Sequence, residues 1–427
     1  MIGTLLTLAV CAITWTLARV WWRHFLNPVS FSVLAWAPAL VLLNWPPYFI
    51  YPYYWHLNRP IGILLYTALA LACISFWLGC ATAKAMSKPG SFDIVPSRLV
   101  FEVKEGPAIV LFVIGFLVFV YSYVNSGLMD MANLDVREIA ESQRNLYIGR
   151  LTFLTFFMDI VAIAFLAQFV WTRKVIYLAP LLIALACEAA TLQKSLLMLV
   201  VSAAIFVFAI NPSASYQLFW KTPMRRLLFG ALILGLVVGL ISMNAARKHL
   251  ETRYTATSFP LHEELYIYTG SSAIVNLSNT IEGYLSQPPP AMGVYLAKPV
   301  LWYVIDRSYY DEAAQEFGGI NTGTYLLEAW ADFRWFGFFI WPFLTGVAVM
   351  LFLRLGLSGT LTGLLFGAVA VRAVIFSPST EVIFEPATWI ILAQALFADF
   401  LIRKRPSAGY TPRRYPPPPG RVVAPRG

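Results

Sequence analysis

The residues able to do chemistry in this chain gather in two polar stretches and at a few ionisable positions within apolar runs. In the first stretch, 125–150, Arg137 and Arg144 lie seven residues apart, two helical turns, and so share one helix face; Arg150 follows. Glu138 and Glu141 fall between them, with Arg137 and Glu141 at i,i+4 spacing. Such a helix can be a solvated surface with ordinary ion pairs. It can equally present a cationic clamp, because a guanidinium donates rigidly and bidentately to phosphate oxygens and never loses its charge. The second stretch, 245–322, opens on Arg247-Lys248-His249 with Arg253 close behind. It closes on Gly318-Gly319-Ile320-Asn321-Thr322-Gly323. Its basic cluster reads either as snorkelling at a membrane edge or as a second half of a clamp. His249 and His262 are surface residues or candidate bases.

A third group sits at membrane depth. Glu188 and Lys194 flank a tight turn between apolar runs, Arg372 lies inside one, and Glu381 and Glu385 follow it. Glu328, Asp332 and Arg334 stand where the chain passes from the second polar stretch into the next apolar run. Ionisable groups in such places are costly and face a polar cavity or one another. Arg372 paired with Glu381 or Glu385 is the purely structural version of that arrangement. The chain has no Walker loop, dinucleotide-binding glycine pattern or zincin motif.

The elements that must position these groups are membrane helices. Of 427 residues 59% are hydrophobic and only 12% charged, with a mean hydropathy of +0.67; soluble domains carry about a quarter charged. The apolar runs have the roughly 17–25 residues that a bilayer core about 30 Å thick requires. Eleven helices are expected, near 2–18, 29–50, 61–83, 108–124, 151–170, 175–191, 195–211, 227–244, 335–353, 358–375 and 387–402. Aromatic residues cluster at run ends, as in Trp45-Pro46-Pro47-Tyr48-Phe49, where amphipathic rings settle at headgroup level. The first run lacks a basic leader and a cleavage site, so it reads as a retained span. Cys73 and Cys80 share a helix at roughly 10 Å, too far to bridge.

An odd number of spans puts the termini on opposite faces. With the N-terminus outside, the short inside loops and the tail are densely basic, as the positive-inside rule asks. Arg59, Arg137, Arg144, Arg150, Lys194, Arg247, Lys248, Arg253, Lys298, Arg307, Arg334 and Arg372 then lie on the disfavoured side, which suggests a further job for them. Residues 1–402 form the transmembrane domain with long outside loops at 125–150 and 245–322. Within the second loop, the apolar-periodic piece from Leu265 to Ile281 and the aromatic piece from Tyr295 to Tyr310 are expected to be helical and interfacial or re-entrant. Residues 403–427, with Pro416 to Pro419 flanked by arginines, are expected to be a disordered cytoplasmic tail drawn to anionic lipid.

Two segments carry a resemblance. Tyr266-Ile267-Tyr268-Thr269-Gly270-Ser271-Ser272-Ala273-Ile274-Val275-Asn276-Leu277 and Asn321-Thr322-Gly323-Thr324-Tyr325-Leu326-Leu327-Glu328-Ala329-Trp330-Ala331-Asp332-Phe333-Arg334-Trp335-Phe336-Gly337 resemble the bacterial O-antigen polymerase family (Wzy-type oligosaccharide repeat-unit polymerases). Arg334 departs from the pattern, standing where that family usually has Gly. The resemblance implies an all-α, GT-C-like polytopic glycosyltransferase of the bacterial inner membrane with its active site facing the periplasm. Such an enzyme transfers a growing glycan from undecaprenyl pyrophosphate to another lipid-linked repeat unit. It implies no metal or cofactor; the acid-free stretch 51–60 agrees, since many lipid-sugar-dependent glycosyltransferases hold an acidic residue there.

Carried over from the family, Arg137, Arg144 and Arg247, with Arg150, Arg253 and Arg372, would bind the pyrophosphate. Tyr268, Asn276 and Asn321 complete the substrate-binding set, and Glu328, Asp332 or His249 would be the general base. Implied partners are undecaprenyl-pyrophosphate-linked oligosaccharides, membrane lipids and a chain-length-regulating co-polymerase; no nucleic acid is expected. The rival readings are an O-antigen ligase, which would use a loop histidine, and a polysaccharide or lipid transporter, for which the sequence lacks an internal repeat.

Overall fold

The computed structural model of the chain describes residues 2–22, 27–46, 61–88, 91–92, 102–130, 142, 150–191, 195–211, 221–224, 226–227, 230, 266, 269–284, 290–301, 324–378 and 382–404. Among them the protein is all-helical, with one isolated bridge, Val103 to Arg403. The helices are α1 (Ile2–Trp21), α2 (Pro28–Leu43), α3 (Ile63–Ala85), α4 (Glu105–Asn125), α5 (Phe156–Thr172), α6 (Ala179–Thr191), α7 (Ser195–Ile210), α8 (Ser271–Ile281), α9 (Tyr325–Phe333), α10 (Gly337–Gly356), α11 (Leu361–Ile375) and α12 (Pro386–Ile402). Ten of the eleven expected positions carry helix; the remaining one, 227–244, lies almost wholly outside the described residues.

Among the described residues four helical stretches are long and apolar enough to cross a bilayer: Ile63–Ala85, Glu105–Asn125, Phe153–Thr172 and Tyr325–Gly356. Leu5, Leu6, Ile13 and Leu17 of α1 and Ile109, Val110 and Leu117 of α4 are exposed. So much apolar surface on long helices is stable only against lipid. The protein is membrane-embedded.

The chain forms two compact units: Met1–Phe92 with Phe259–Leu355 and Val369–Ile390, and Asp93–Ser258 with Gly356–Ala368 and Ile391–Gly427. In the first unit a single asparagine joins α1 to α2. Asn27 Oδ1 accepts from the Val29 and Ser30 amides at 3.0 and 3.3 Å, capping α2 ahead of Pro28. Its Nδ2 donates to Ala18 and Trp22 carbonyls at 2.7 and 3.0 Å, satisfying orphan acceptors at the end of α1. α2 stops at Leu43 rather than near 50, because the pair Pro46-Pro47 bars the residues before them from helical geometry.

α3 and α10 cross at glycines. A Cβ on Gly79 would sit 2.1 Å from the Phe343 carbonyl oxygen, and one on Gly346 2.4 Å from that of Phe76. This close approach of backbones is the usual way membrane helices gain packing where apolar burial gives no advantage. Ser75 Oγ donates to the Phe339 carbonyl and the Cys80 thiol to that of Gly346 at the same crossing. Gly346→Ala should cost about 1–3 kcal/mol, read as a lower thermal midpoint in detergent.

α8, from the piece expected to be interfacial or re-entrant, is helical and buried at every residue from Ser271 to Ile281. Its hydroxyls make that tolerable. Ser271 Oγ donates to the Ala39 carbonyl at 2.9 Å, Thr280 Oγ1 to Asn276 at 2.9 Å, and Ser278 Oγ accepts from the Gly62 amide at 3.4 Å. The helix begins at Gly270, φ +88°, where a Cβ would lie 2.7 Å from the Pro378 carbonyl oxygen. Only glycine meets both conditions.

In the second unit α5 is buried on nearly every face and packs against α4, α6 and α7. Gln168 on α5 accepts from the Val103 amide at 2.9 Å. Lys404, expected to lie in the tail, is tied back to the chain: its amide donates to the Glu102 carbonyl at 2.9 Å and its ammonium pairs with the Glu102 carboxylate at 3.3 Å. Residues 405–427 lie outside the described residues. All four cysteines are free thiols.

Candidate functional site

The site lies in the first unit, where the strap 291–298 runs along the end of α9. Thr324 starts α9 by accepting from the Leu326 amide at 3.1 Å. At the other end, the Ala291 and Met292 amides donate to the Ala331 and Asp332 carbonyls at 2.9 and 3.1 Å, covering acceptors the helix cannot use. The strap turns through two left-handed residues, Met292 (φ +50°) and Gly293 (φ +91°).

Asp332 then fixes the strap to two helices at once. Its Oδ1 accepts from the Tyr295 amide at 3.0 Å; its Oδ2 accepts from the Leu296 amide at 2.8 Å and from Trp341 Nε1 of α10 at 3.1 Å. The residue is 0% exposed. A carboxylate with three donors and no access to solvent holds a fold together; it is badly placed to receive a proton from a substrate. Asp332→Asn would turn an amide NH₂ against N–H donors that accept nothing. We expect about 3 kcal/mol of lost stability from that change, measured by thermal unfolding, with the strap released.

The strap delivers Lys298 to Glu328, which stands one turn before Asp332 on the same face of α9. Lys298 Nζ lies 3.4 Å from Glu328 Oε1 and 2.7 Å from Glu385 Oε1. Glu385 is held by the loop before α12. There Thr388 Oγ1 donates to the Val382 carbonyl, Trp389 Nε1 to that of Ile383, and the Phe384 ring meets Trp341 edge-on at 4.8 Å. The Lys298 side chain is 11% exposed, Glu328 23% and Glu385 36%. Burial works to discharge the ammonium, but the carboxylates of Glu328 and Glu385 outweigh it and hold Lys298 above the usual lysine range. One cation therefore serves two carboxylates. Glu328 keeps a second oxygen, Oε2, that is buried and has no hydrogen-bond partner among the described residues.

Comparison with protein-family models, curated proteins and solved structures finds no match. What the site can do follows from its own charges.

Of the residues singled out in the sequence, Glu328 and Asp332 come together here. Asn276 is buried on α8, whose Ile274, Val275 and Leu277 belong to the same apolar cluster as Tyr295, Tyr325 and Trp330. Arg372 is half-buried on α11; of its two candidate partners, Glu385 pairs with Lys298 and Glu381 lies outside the described residues. Arg150 opens a 3-10 turn in the second unit. Arg137, Arg144, Arg247, His249, Arg253, Tyr268, Asn321 and Glu381 lie outside the described residues. Sequence reasoning missed Lys298 as a member of the site. The available signal was its setting: a lysine in a strap of apolar and aromatic residues.

Proposed function

We propose that the protein is a membrane glycosyltransferase that polymerises lipid-linked oligosaccharide repeat units, O-antigen or exopolysaccharide, at the periplasmic face of the bacterial inner membrane. In this reading about eleven spans in a GT-C-like arrangement carry the site. The observation behind it is Glu328: a carboxylate with one oxygen held by Lys298 and the other without a hydrogen-bond partner among the described residues, near the start of a long apolar helical stretch. The segments that resemble the polymerase family supply α8 and α9, whose apolar residues share one cluster, and α9 carries that carboxylate.

The chemistry follows. An acceptor hydroxyl attacks the anomeric carbon of the donor glycan, and its proton passes to Glu328 Oε2. The bond from that carbon to the diphosphate oxygen breaks, and undecaprenyl pyrophosphate leaves with the electron pair. A general base contributes about 10²–10⁴ in rate. Charge developing on the diphosphate is the task proposed for Arg137, Arg144 and Arg247, with Arg150, Arg253 and Arg372, since preorganised cations at low dielectric stabilise a leaving group strongly. Asp332 positions the strap and so Lys298.

Reconstitution in proteoliposomes with a purified undecaprenyl-pyrophosphate-linked repeat unit tests this. The expected product is a ladder of glycans spaced by one repeat unit. A single transfer confined to a lipid A–core acceptor would make the protein a ligase. Movement of substrate with no new glycosidic bond would make it a transporter.

A further inference from the structure

Lys298 faces two carboxylates, and they do not hold it equally. Its Nζ lies 2.7 Å from Glu385 Oε1, the length of a full charge-assisted hydrogen bond, and 3.4 Å from Glu328 Oε1, well beyond that length. The backbone fixes the nearer carboxylate. Glu385 directly precedes Pro386, the first residue of α12, and its carbonyl accepts from the Thr388 amide at 3.1 Å.

The charges show what Glu385 adds. Those acting on Glu328 are Lys298 on the strap, Glu385 before α12, and Asp332 one turn on along α9. Asp332 is already satisfied by its three donors. With Lys298 alone, Glu328 would form a neutral pair. Moving the acceptor hydroxyl's proton onto Glu328 would then leave an uncompensated ammonium on a side chain only 11% exposed, the state that buried pairs resist most strongly. With Glu385 present, the three groups carry one net negative charge before the transfer and none after it. Lys298 keeps a whole partner throughout. The oxygen that receives the proton is Glu328 Oε2, which is buried and has no hydrogen-bond partner among the described residues.

We propose that Glu385 is a positioning residue for glycan transfer: it holds the Lys298 ammonium and so leaves Glu328 able to take the proton of the acceptor hydroxyl. This rests on the polymerase reading and deepens it. The bonds are those already given: the hydroxyl oxygen joins the anomeric carbon, its proton goes to Glu328, and the diphosphate leaves with the electron pair. Glu385 gains and loses nothing; it acts through Lys298.

The full chain in proteoliposomes, as wild type, Glu385→Gln, Glu385→Met and Glu385→Asp, is assayed for transfer across the acid limb of its pH profile, with thermal midpoints read alongside. Removing the Glu385 charge gives Lys298 wholly to Glu328. The acid limb should therefore move about 1–2 pH units lower in both neutral variants, with a lower plateau because a weaker base accepts a proton less readily. Glu385→Asp keeps the charge and should bring the limb back toward the wild-type position. A second measurement needs no glycan. Dicyclohexylcarbodiimide modifies a carboxyl only in its protonated form, so labelling of Glu328 should cease at a correspondingly lower pH in the neutral variants. An unmoved limb in a folded neutral variant overturns the assignment and leaves the polymerase reading standing. An equal shift in Glu385→Asp also overturns it, since the effect would then come from packing rather than charge. If neither neutral variant folds, Glu385 is structural and the assignment falls. A wild type that transfers no glycan, while Glu328 labelling still follows the charge at 385, overturns the polymerase reading and not the charge balance.

Discussion

Glu328→Gln should lower the rate of glycan transfer about 10²–10⁴-fold with little change in folding. The substitution is nearly isosteric, and the amide oxygen can still accept from Lys298, whose ammonium lies 3.4 Å from Glu328 Oε1. What is lost is the second oxygen as a proton acceptor. The effect should fall on kcat rather than on donor affinity, because Glu328 acts on the acceptor hydroxyl as the bond forms. Single-turnover transfer from a purified lipid-linked repeat unit reads this directly. Wild-type rates in Glu328→Gln would remove the proton-acceptor role.

The largest effect on stability should come from Lys298→Met. That change leaves Glu328 and Glu385 facing each other with no cation between them. Breaking a fully buried pair costs about 3–5 kcal/mol; with Glu385 36% exposed, solvent screens part of this, and about 2–3 kcal/mol is the better expectation. Adding Glu328→Gln and Glu385→Gln to Lys298→Met should recover most of the loss, since the penalty belongs to uncompensated charge rather than to missing contacts. Thermal unfolding of the single and triple variants measures both. Equal midpoints for wild type and Lys298→Met would show that the three groups do not share their charges.

Lys298 also sets a pH expectation. Its folded value lies above its ordinary one, so its stabilising contribution is complete below about pH 10.4. It fades only as pH rises through the higher folded value. Between neutral and mildly alkaline pH the ammonium stays charged and the pair stays intact.

The helices were legible because each apolar run had to be helical to satisfy its backbone in lipid; α3, α4 and α5 lie within a few residues of their expected places. The end of α2 was written in Pro46 and Pro47 but outweighed by the apolar residues beyond them. α8 reads as an apolar-periodic piece, interfacial or re-entrant, whose serines and asparagines look like a wet face. In the fold Ser271 and Ser278 find a carbonyl partner on α2 and an amide partner beside α3, a tertiary fact with no local signature. Asp332 carries the same lesson. A carboxylate at a membrane edge suggests a base, yet three donors from 295, 296 and 341 make it an anchor. Lys298 stayed hidden because its partners are 30 and 87 residues away along the chain. The positive φ of Arg334, +53°, has no sign in its side chain, since arginine rarely adopts that conformation.

Photo-cross-linking locates the reacting glycan without relying on any variant. A lipid-linked repeat unit carrying a diazirine on its acceptor-end sugar is bound to the full chain in nanodiscs, irradiated, and the labelled peptides are mapped. Label on 290–301 and 325–336, competed away by unmodified substrate, is the predicted result. Label confined to α4 through α7, with none on the strap or α9, would contradict a transfer site built on Glu328.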